Sequence, residues 1–353
     1  MSSGTTDGGT MTGTTGGGAV TGTTGGGAVT GSTGGGTRTA AAAGGGLAPE
    51  LLTAGRSVHV LPDRSGATVG DRTIEADSPR ELRRLLADAL YQELHAGLDV
   101  ADEGLPFRLR DPEFEKLLAE GVPHRATTLR AVMVASGEET HLVELGGVRV
   151  RVPVEQVRAA GGAVPGSLVE VVNTPLRPAL SPGFFLVEGT APHRSAELLR
   201  LYVHITGWTF APAIWRSALH HLEGCGAVYR AKVVSSTYLY PRRDALVVYL
   251  DESSAHVAPG LAEVLADLPG VGSRTSLFTR RIRPGVATAW EPRDPAPGMQ
   301  GLSFGQHRAG VLAEALVDTA DDPEAFPRVL RTLLVRAGVD PEDPSRNVSL
   351  PAA

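Results

Sequence analysis

An α+β fold follows from three features of the sequence: well-capped segments of helical apolar period after Leu47, a run of period-two segments from Leu129, and a further alternation of strands and helices beyond Arg200. A small antiparallel sheet with helices is expected first, followed by a mixed α/β sheet. The boundaries assign 1–46 to a Gly/Thr-rich tether expected to be disordered, 47–190 to an N-terminal α+β region, 191–320 to a C-terminal α/β region and 321–353 to a C-terminal helix and tail.

Composition limits the functional classes. Lys and Arg number 33 against 39 Asp and Glu, so the net charge of -6 supplies no pull towards nucleic acid. The single cysteine, Cys225, excludes an internal disulfide framework and a thiolate metal cluster, and it reads as a small buried side chain beside a turn at Gly224 and Gly226. No basic region followed by an apolar run opens the chain, and no stretch is long and apolar enough to span a bilayer. A cytoplasmic protein without membrane contact is expected.

Within 1–46 a nine-residue unit recurs from Thr12, as TGTTGGGAV, TGTTGGGAV and TGSTGGGTR. Such a segment has no side chains with which to build a core, and glycine loses the most backbone entropy on ordering. Its glycines lack the following Lys-Ser/Thr of a phosphate-binding loop.

In the next region Ser78, Pro79 and Glu81 predict a helix N-terminus, with Leu82, Leu85, Leu86 and Leu90 facing inward and Gly97 ending the helix. Asp111 and Pro112 open a second helix carrying Phe114, Leu117 and Leu118, stopped by Gly121. The period then changes to two. Leu129 to Ser136, His141 to Leu145, Val148 to Val152, Leu168 to Val172 and Phe184 to Val187 predict strands of a small antiparallel sheet, with a hairpin at Gly146 and Gly147. No cluster of titratable groups converges here, so a scaffolding or peptide-docking role is assigned.

Beyond Arg200, Leu201, Val203 and Ile205 alternate with Arg200, Tyr202, His204 and Thr206, which puts Arg200 and His204 on one face of a strand. Thr209 is expected to cap the following helix, which buries Ile214, Leu219 and Leu222. Tyr229 to Ser235 forms the next strand, with Arg230 and Lys232 projecting together. A helix between two strands usually signals parallel neighbours, which would bring His204 and Lys232 within reach of each other. Ala245 to Leu250 is apolar on both faces, as a central strand requires. Arg283 precedes a turn at Pro284 and Gly285, and Ser303 with Gln306 forms a capping box at a helix start beside His307 and Arg308. Free amides there, next to two basic side chains, suit an anion.

The run from LLRLYVHIT through VYRAKVVS, YPRRDALVVYL, RIRPGVATAWEP and LSFGQHRAGVLAEAL resembles the HopA-type type III effector family, in particular its branch associated with lanthipeptide and thioamide-peptide biosynthesis. The resemblance covers roughly Leu47 to Thr319. It implies a lyase-like C-terminal region that eliminates phosphate from phosphoserine or phosphothreonine of a ribosomal precursor peptide, giving dehydroalanine or dehydrobutyrine. The kinase would be a separate phosphotransferase-like protein; consistently, no glycine-rich nucleotide loop, catalytic-loop His-Arg-Asp or Asp-Phe-Gly occurs.

Elimination needs a base for the α-proton, an acid for the departing oxygen and cations for the phosphate; it requires no cofactor and no metal. The resemblance maps the base onto Lys232 and the acid onto His204. Lysine is a base only in its neutral form, which burial and neighbouring cations favour. Arg200, Arg242, Arg283 and Arg308 are the expected phosphate-binding set, while Arg243, Arg274 and Arg281 read as solvated surface. The structural alternatives are a half-buried, hydrogen-bonded His204 and an edge-strand Lys232 that blocks aggregation. A non-catalytic subunit that binds the peptide or stabilises the kinase is the alternative function.

Overall fold

The computed structural model describes residues 46–98, 111–191, 195, 197–299 and 301–348; the expected tether falls, apart from Gly46, outside the described residues. Helix α1 (Pro49–Arg56) leads into a three-stranded antiparallel sheet of β1 (Val58–Val60), β2 (Gly66–Val69) and β3 (Arg72–Glu75). Helix α2 (Pro79–Leu90) then starts as expected: the Ser78 hydroxyl accepts the Glu81 amide at 3.2 Å, with proline in the first turn. Leu82, Leu86 and Leu90 are fully buried along its inner face. The helix continues through a π-helical turn, Tyr91–Ala96, until Gly97 takes a left-handed conformation at φ 65°, which glycine adopts without a Cβ penalty.

Helix α3 (Pro112–Glu120) is capped by Asp111, whose carboxylate accepts the Phe114 amide at 3.1 Å. Phe114 and Leu118 are buried, but Leu117, expected inside, is 46% exposed because it lies a third of a turn away from that stripe. Five strands follow as a second sheet: β4 (Thr127–Ala135), β5 (Thr140–Leu145), β6 (Val148–Pro153), β7 (Val157–Arg158) and β8 (Leu168–Asn173), in the order β6-β5-β4-β8-β7. Gly146 and Gly147 both have positive φ in the β5–β6 hairpin, as a two-residue type I′ turn demands. Met133, Val143, Val169 and Val171 belong to this sheet's own small core.

The third sheet positions the candidate site. It comprises β9 (Leu176–Ser181), β10 (Phe184–Glu188), β11 (Leu198–Ile205), β12 (Tyr229–Val234), β13 (Arg242–Asp251), β14 (Arg280–Arg283) and β15 (Val286–Trp290), in the order β14-β15-β11-β13-β12-β10-β9. Every neighbouring pair is antiparallel. Two expectations are corrected here. The strand Phe184 to Val187 pairs with β12 rather than with the small sheet, and β11 and β12 are not parallel neighbours, because β13 returns between them and pairs with both.

Helices cover both faces of this sheet. Leu201, Val203 and Ile205 share one core with Ile214, Trp215 and Leu219 of α4 (Ala211–Gly224) and Leu261 and Leu265 of α5 (Ala258–Ala266). Tyr202, Val247 and Ala289 share the opposite core with α2, α6 (Phe304–Asp318) and α7 (Phe326–Arg336). Strand β13 thus feeds both cores, which explains its uninterrupted apolar run. Helix α4 begins at Ala211 after a 3₁₀ turn over Trp208–Phe210 and takes no side-chain cap, so Thr209 does not perform the expected role; Cys225, expected buried, is exposed just beyond the helix end. Among the described residues no helix is long and apolar enough to cross a membrane.

Candidate active site

A buried cluster of ionisable groups lies where β13 begins, under the π-helical turn. Arg242 and Asp244 project to the same side of the strand and are both buried. Arg242 Nε donates to Asp244 Oδ1 at 2.6 Å and Nη2 to Oδ2 at 3.0 Å. Arg242 Nη2 also donates to the Tyr91 hydroxyl at 2.8 Å, which itself donates to Asp244 Oδ2 at 3.2 Å. His95, one turn on, places Nε2 3.7 Å from Asp244 Oδ2, while its Nδ1 meets the Ser276 hydroxyl at 2.8 Å. Rings of Tyr91, Tyr202 and Phe304 surround His95 at centroid distances of 5.4, 5.3 and 5.9 Å.

Charge in this cluster is fixed by its partners. Burial alone would raise the Asp244 carboxyl, but the Arg242 guanidinium, with His95 and Lys232 beside it, holds it well below the usual carboxylate range. Burial pushes His95 down to about 4 against the opposing pull of Asp244, so its imidazole is neutral at pH 7. Burial, reinforced by Asp244, pushes the Tyr91 phenol upward.

Lys232 enters the same group from β12. It stands opposite Leu186 on one side and Val247 on the other, half-buried, with Nζ 4.3 Å from the Phe184 ring centre and 5.8 Å from that of Tyr249. Arg242 Cζ lies 5.6 Å from the same Phe184 ring. Among the described residues Lys232 makes no ion pair. Its strand is internal to the sheet, so the edge-strand explanation for a lysine there does not apply.

His204 occupies the end of β11, beyond a register shift between Val203 and Ile205. Its Nδ1 accepts the Arg274 amide at 3.3 Å, which leaves Nε2 to carry the proton of the neutral ring. Burial, then the nearby Arg243 charge, pushes its pKa down. His204 and Lys232 are not adjacent, since β13 separates their strands and Lys232 lies level with Tyr202, two residues before His204. Two inter-strand spacings and two residues of rise give roughly 12 Å between their Cα atoms.

The four expected phosphate-binding arginines are divided. Arg242 shares the Phe184 ring with Lys232 and Arg200 shares the Tyr249 ring with it, while Arg283 lies apart. Arg200, 7% exposed, gives Nε and Nη2 to the two carboxylate oxygens of Glu291 and stacks 5.0 Å over Tyr249. Arg283 pairs with Glu263 at 2.7 Å on the surface of edge strand β14. Arg308 is 1% exposed, donates from Nε to the Pro344 carbonyl at 2.8 Å and from Nη1 to His307 Nδ1 at 2.7 Å, and is pushed down to about 9 by burial. The two basic side chains expected to complete an anion cradle at the start of α6 do not face its amides. The Ser303–Gln306 capping box forms at 2.9 and 3.3 Å and engages the Ser303 and Gln306 amides, while His307 and Arg308 turn inward.

The three arginines that read as plain surface, Arg243, Arg274 and Arg281, are brought together, with Arg280 beside them. A cleft of about 1060 Å³ is lined by Arg243, Arg274, Arg280 and Arg281, with the hydroxyls of Ser273, Thr275, Ser276 and Thr279. Arg243 Nη1 donates to the Glu93 carbonyl at 2.9 Å, anchoring one wall to the π-helical turn. Ser276 touches both sites, as a lining residue of the cleft and as the partner of His95 Nδ1. Tyr91, His95, Asp244 and Ser276 have no counterpart among the residues expected from sequence. The available signal was an aspartate beside two arginines at the head of an apolar strand, together with the i, i+4 spacing of Tyr91 and His95 on the tail of a helix.

Residues 176–346 match the profile of the HopA1 effector protein family, a span that contains β9 to β15, Lys232 and His204. No curated protein sequence matches the chain. Among solved structures, the effector protein from Pseudomonas syringae pv. tomato strain DC3000 is 14% identical with a TM-score of 0.45, over 78% of this chain and 91% of that one. The effector protein from Pseudomonas syringae pv. syringae strain 61 is 13% identical with a TM-score of 0.42, over 76% and 97%.

Proposed function

We propose that this HopA1-type domain eliminates phosphate from a phosphoserine or phosphothreonine of a ribosomally made peptide, with Lys232 as the base. The observation that carries the reading is the state of that lysine. It is a half-buried side chain inside a sheet, held against aromatic rings and, among the described residues, without a carboxylate ion pair. A lysine kept for stability inside a sheet would be expected to pair with a carboxylate.

In this reaction Lys232 Nζ, as the free amine, takes the α-proton of the phosphorylated residue. The electron pair of the broken Cα–H bond forms the Cα=Cβ bond, and the Cβ–O bond breaks towards phosphate. His204 serves the departing oxygen. Its ring is neutral without ligand, but an arriving phosphate dianion opposes the effects of burial and Arg243 and favours the imidazolium needed for proton donation. Lys232 and His204 stand on opposite sides of β13 and act on different atoms of the substrate. The phosphorylated peptide would come from a separate kinase.

The second reading is a non-catalytic peptide-binding or kinase-stabilising subunit, and one observation favours it: Arg200, Arg242 and Arg283 are already committed to carboxylates. Incubation of the protein with a Ser-phosphorylated precursor peptide separates the two. Elimination removes phosphoric acid and leaves a dehydroalanine that a thiol traps, with a primary isotope effect for α-deuterated phosphoserine. Phosphate-dependent binding with no mass change supports the second reading, and recovery of unmodified serine points to hydrolysis and contradicts the lyase.

A further inference from the structure

Resting on the phosphopeptide reading, we infer that the phosphate is held in the cleft of Arg243, Arg274, Arg280 and Arg281, and not by the arginines buried around the sheet. The cleft, about 1060 Å³, has room for several residues of a peptide with a phosphorylated side chain. Its cations come from two segments, the start of β13 and residues 274–281, and four hydroxyls from 273–279 stand among them. Arginine forks and hydroxyl donors are the groups that recognise a phosphate monoester.

The cations differ in how they are held. Arg243 is fixed: its guanidinium is tied to the Glu93 carbonyl at 2.9 Å, and a Cβ on Gly97 would come within 2.6 Å of its Nε. Arg274, Arg280 and Arg281 make no ion pair among the described residues; the same cleft is also lined by Glu50, Glu93, Glu342 and Asp343, of which Asp343 accepts the Ser345 amide at 3.1 Å and the Ser345 hydroxyl at 2.5 Å. Burial lowers the Arg243 pKa, against the pull of Glu93 and with a smaller push from Arg274, so Arg243 and Arg274 stand close enough to share one anion. His204 lies at the same place, its Nδ1 taking the Arg274 amide. The residue expected to protonate the leaving oxygen therefore stands beside these arginines, whereas Arg200 and Arg308 are buried.

The test is binding of a fluorescent Ser-phosphorylated peptide and its unphosphorylated form to the full chain and to an Arg274→Ala/Arg281→Ala variant, with inorganic phosphate as competitor. Both positions are exposed and, among the described residues, make no ion pair, so the variant keeps its fold, checked by its urea midpoint. The inference expects competition by phosphate and a loss of about tenfold or more in affinity for the phosphopeptide alone, as removal of charge-assisted contacts implies. Equal affinity of both proteins for the phosphopeptide overturns it, as does a wild type that does not distinguish the two peptides. Elimination at the wild-type rate by the double variant rejects the cleft while leaving the lyase in place. Phosphate-dependent binding through the cleft without elimination supports the cleft and rejects the lyase.

Discussion

Arg242 and Asp244, two residues apart on one strand, close a two-point ion pair at 2.6 and 3.0 Å with both side chains almost wholly buried. Neither charge can return to water if its partner is removed. Asp244→Asn is expected to cost about 3–5 kcal/mol, the penalty of an uncompensated buried guanidinium. Arg283→Ala breaks a pair whose two members are 49% and 64% exposed, and is expected to cost less than about 1 kcal/mol. Urea denaturation of the two variants gives both numbers; similar losses would contradict the assignment of Arg242–Asp244 as the buried structural pair.

His95 makes stability depend on pH in a defined window. Its folded pKa is pushed down to about 4, whereas the unfolded chain titrates near 6.5. Between those values the unfolded state binds a proton that the folded state refuses, so stability is constant above about 6.5 and falls by about 3 kcal/mol as pH drops to about 4. Asp244, with its carboxyl held low, adds a separate loss at still lower pH. His95→Gln should make the first window shallower, leaving the part due to His204 and His307, whose pKa values burial also lowers, and should keep the second. Denaturation midpoints from acid to neutral pH check this, and an unchanged slope above pH 4 in the variant would refute it.

Local features of the sequence translate directly into the structure. Ser78, Asp111 and the Ser303–Gln306 box cap helices as their spacing requires, and Gly146–Gly147 turns a hairpin. Alternation along β11 separates Leu201 and Val203 from Tyr202. What was not legible is non-local. An intervening helix is the usual mark of parallel neighbours, and nothing in Leu198–Val234 shows that β13 will fold back between β11 and β12. That insertion separates His204 from Lys232. For the same reason the Tyr91–His95 turn, about 150 residues earlier in the chain, could not be associated with Asp244. The arginines show a further limit: residue type marks an anion site, but only tertiary packing decides which guanidinium groups stay open, and here Arg308 is sealed while Arg274 is free.

Two glycines of α6 give opposite expectations. A Cβ on Gly305 would fall 2.3 Å from the His95 ring, so Gly305→Ala must displace that ring or the helix and should destabilise by about 1–3 kcal/mol. Nothing lies within 4 Å of the Cβ position on Gly310. Gly310→Ala should be stabilising by about 0.5–1 kcal/mol through helix propensity. Thermal denaturation of both variants measures the contrast, and a neutral Gly305→Ala would contradict the close seating of His95 on the helix.

The central claim concerns Lys232, and the most direct measurement is elimination from a phosphorylated precursor peptide by Lys232→Ala and Lys232→Arg, each first matched to wild type in urea midpoint and phosphopeptide affinity. Neither variant presents an amine that can take the α-proton at neutral pH, so the dehydrated product should fall by about 10²-fold or more while binding persists. Dehydroalanine formed by either variant at the wild-type rate would contradict the account.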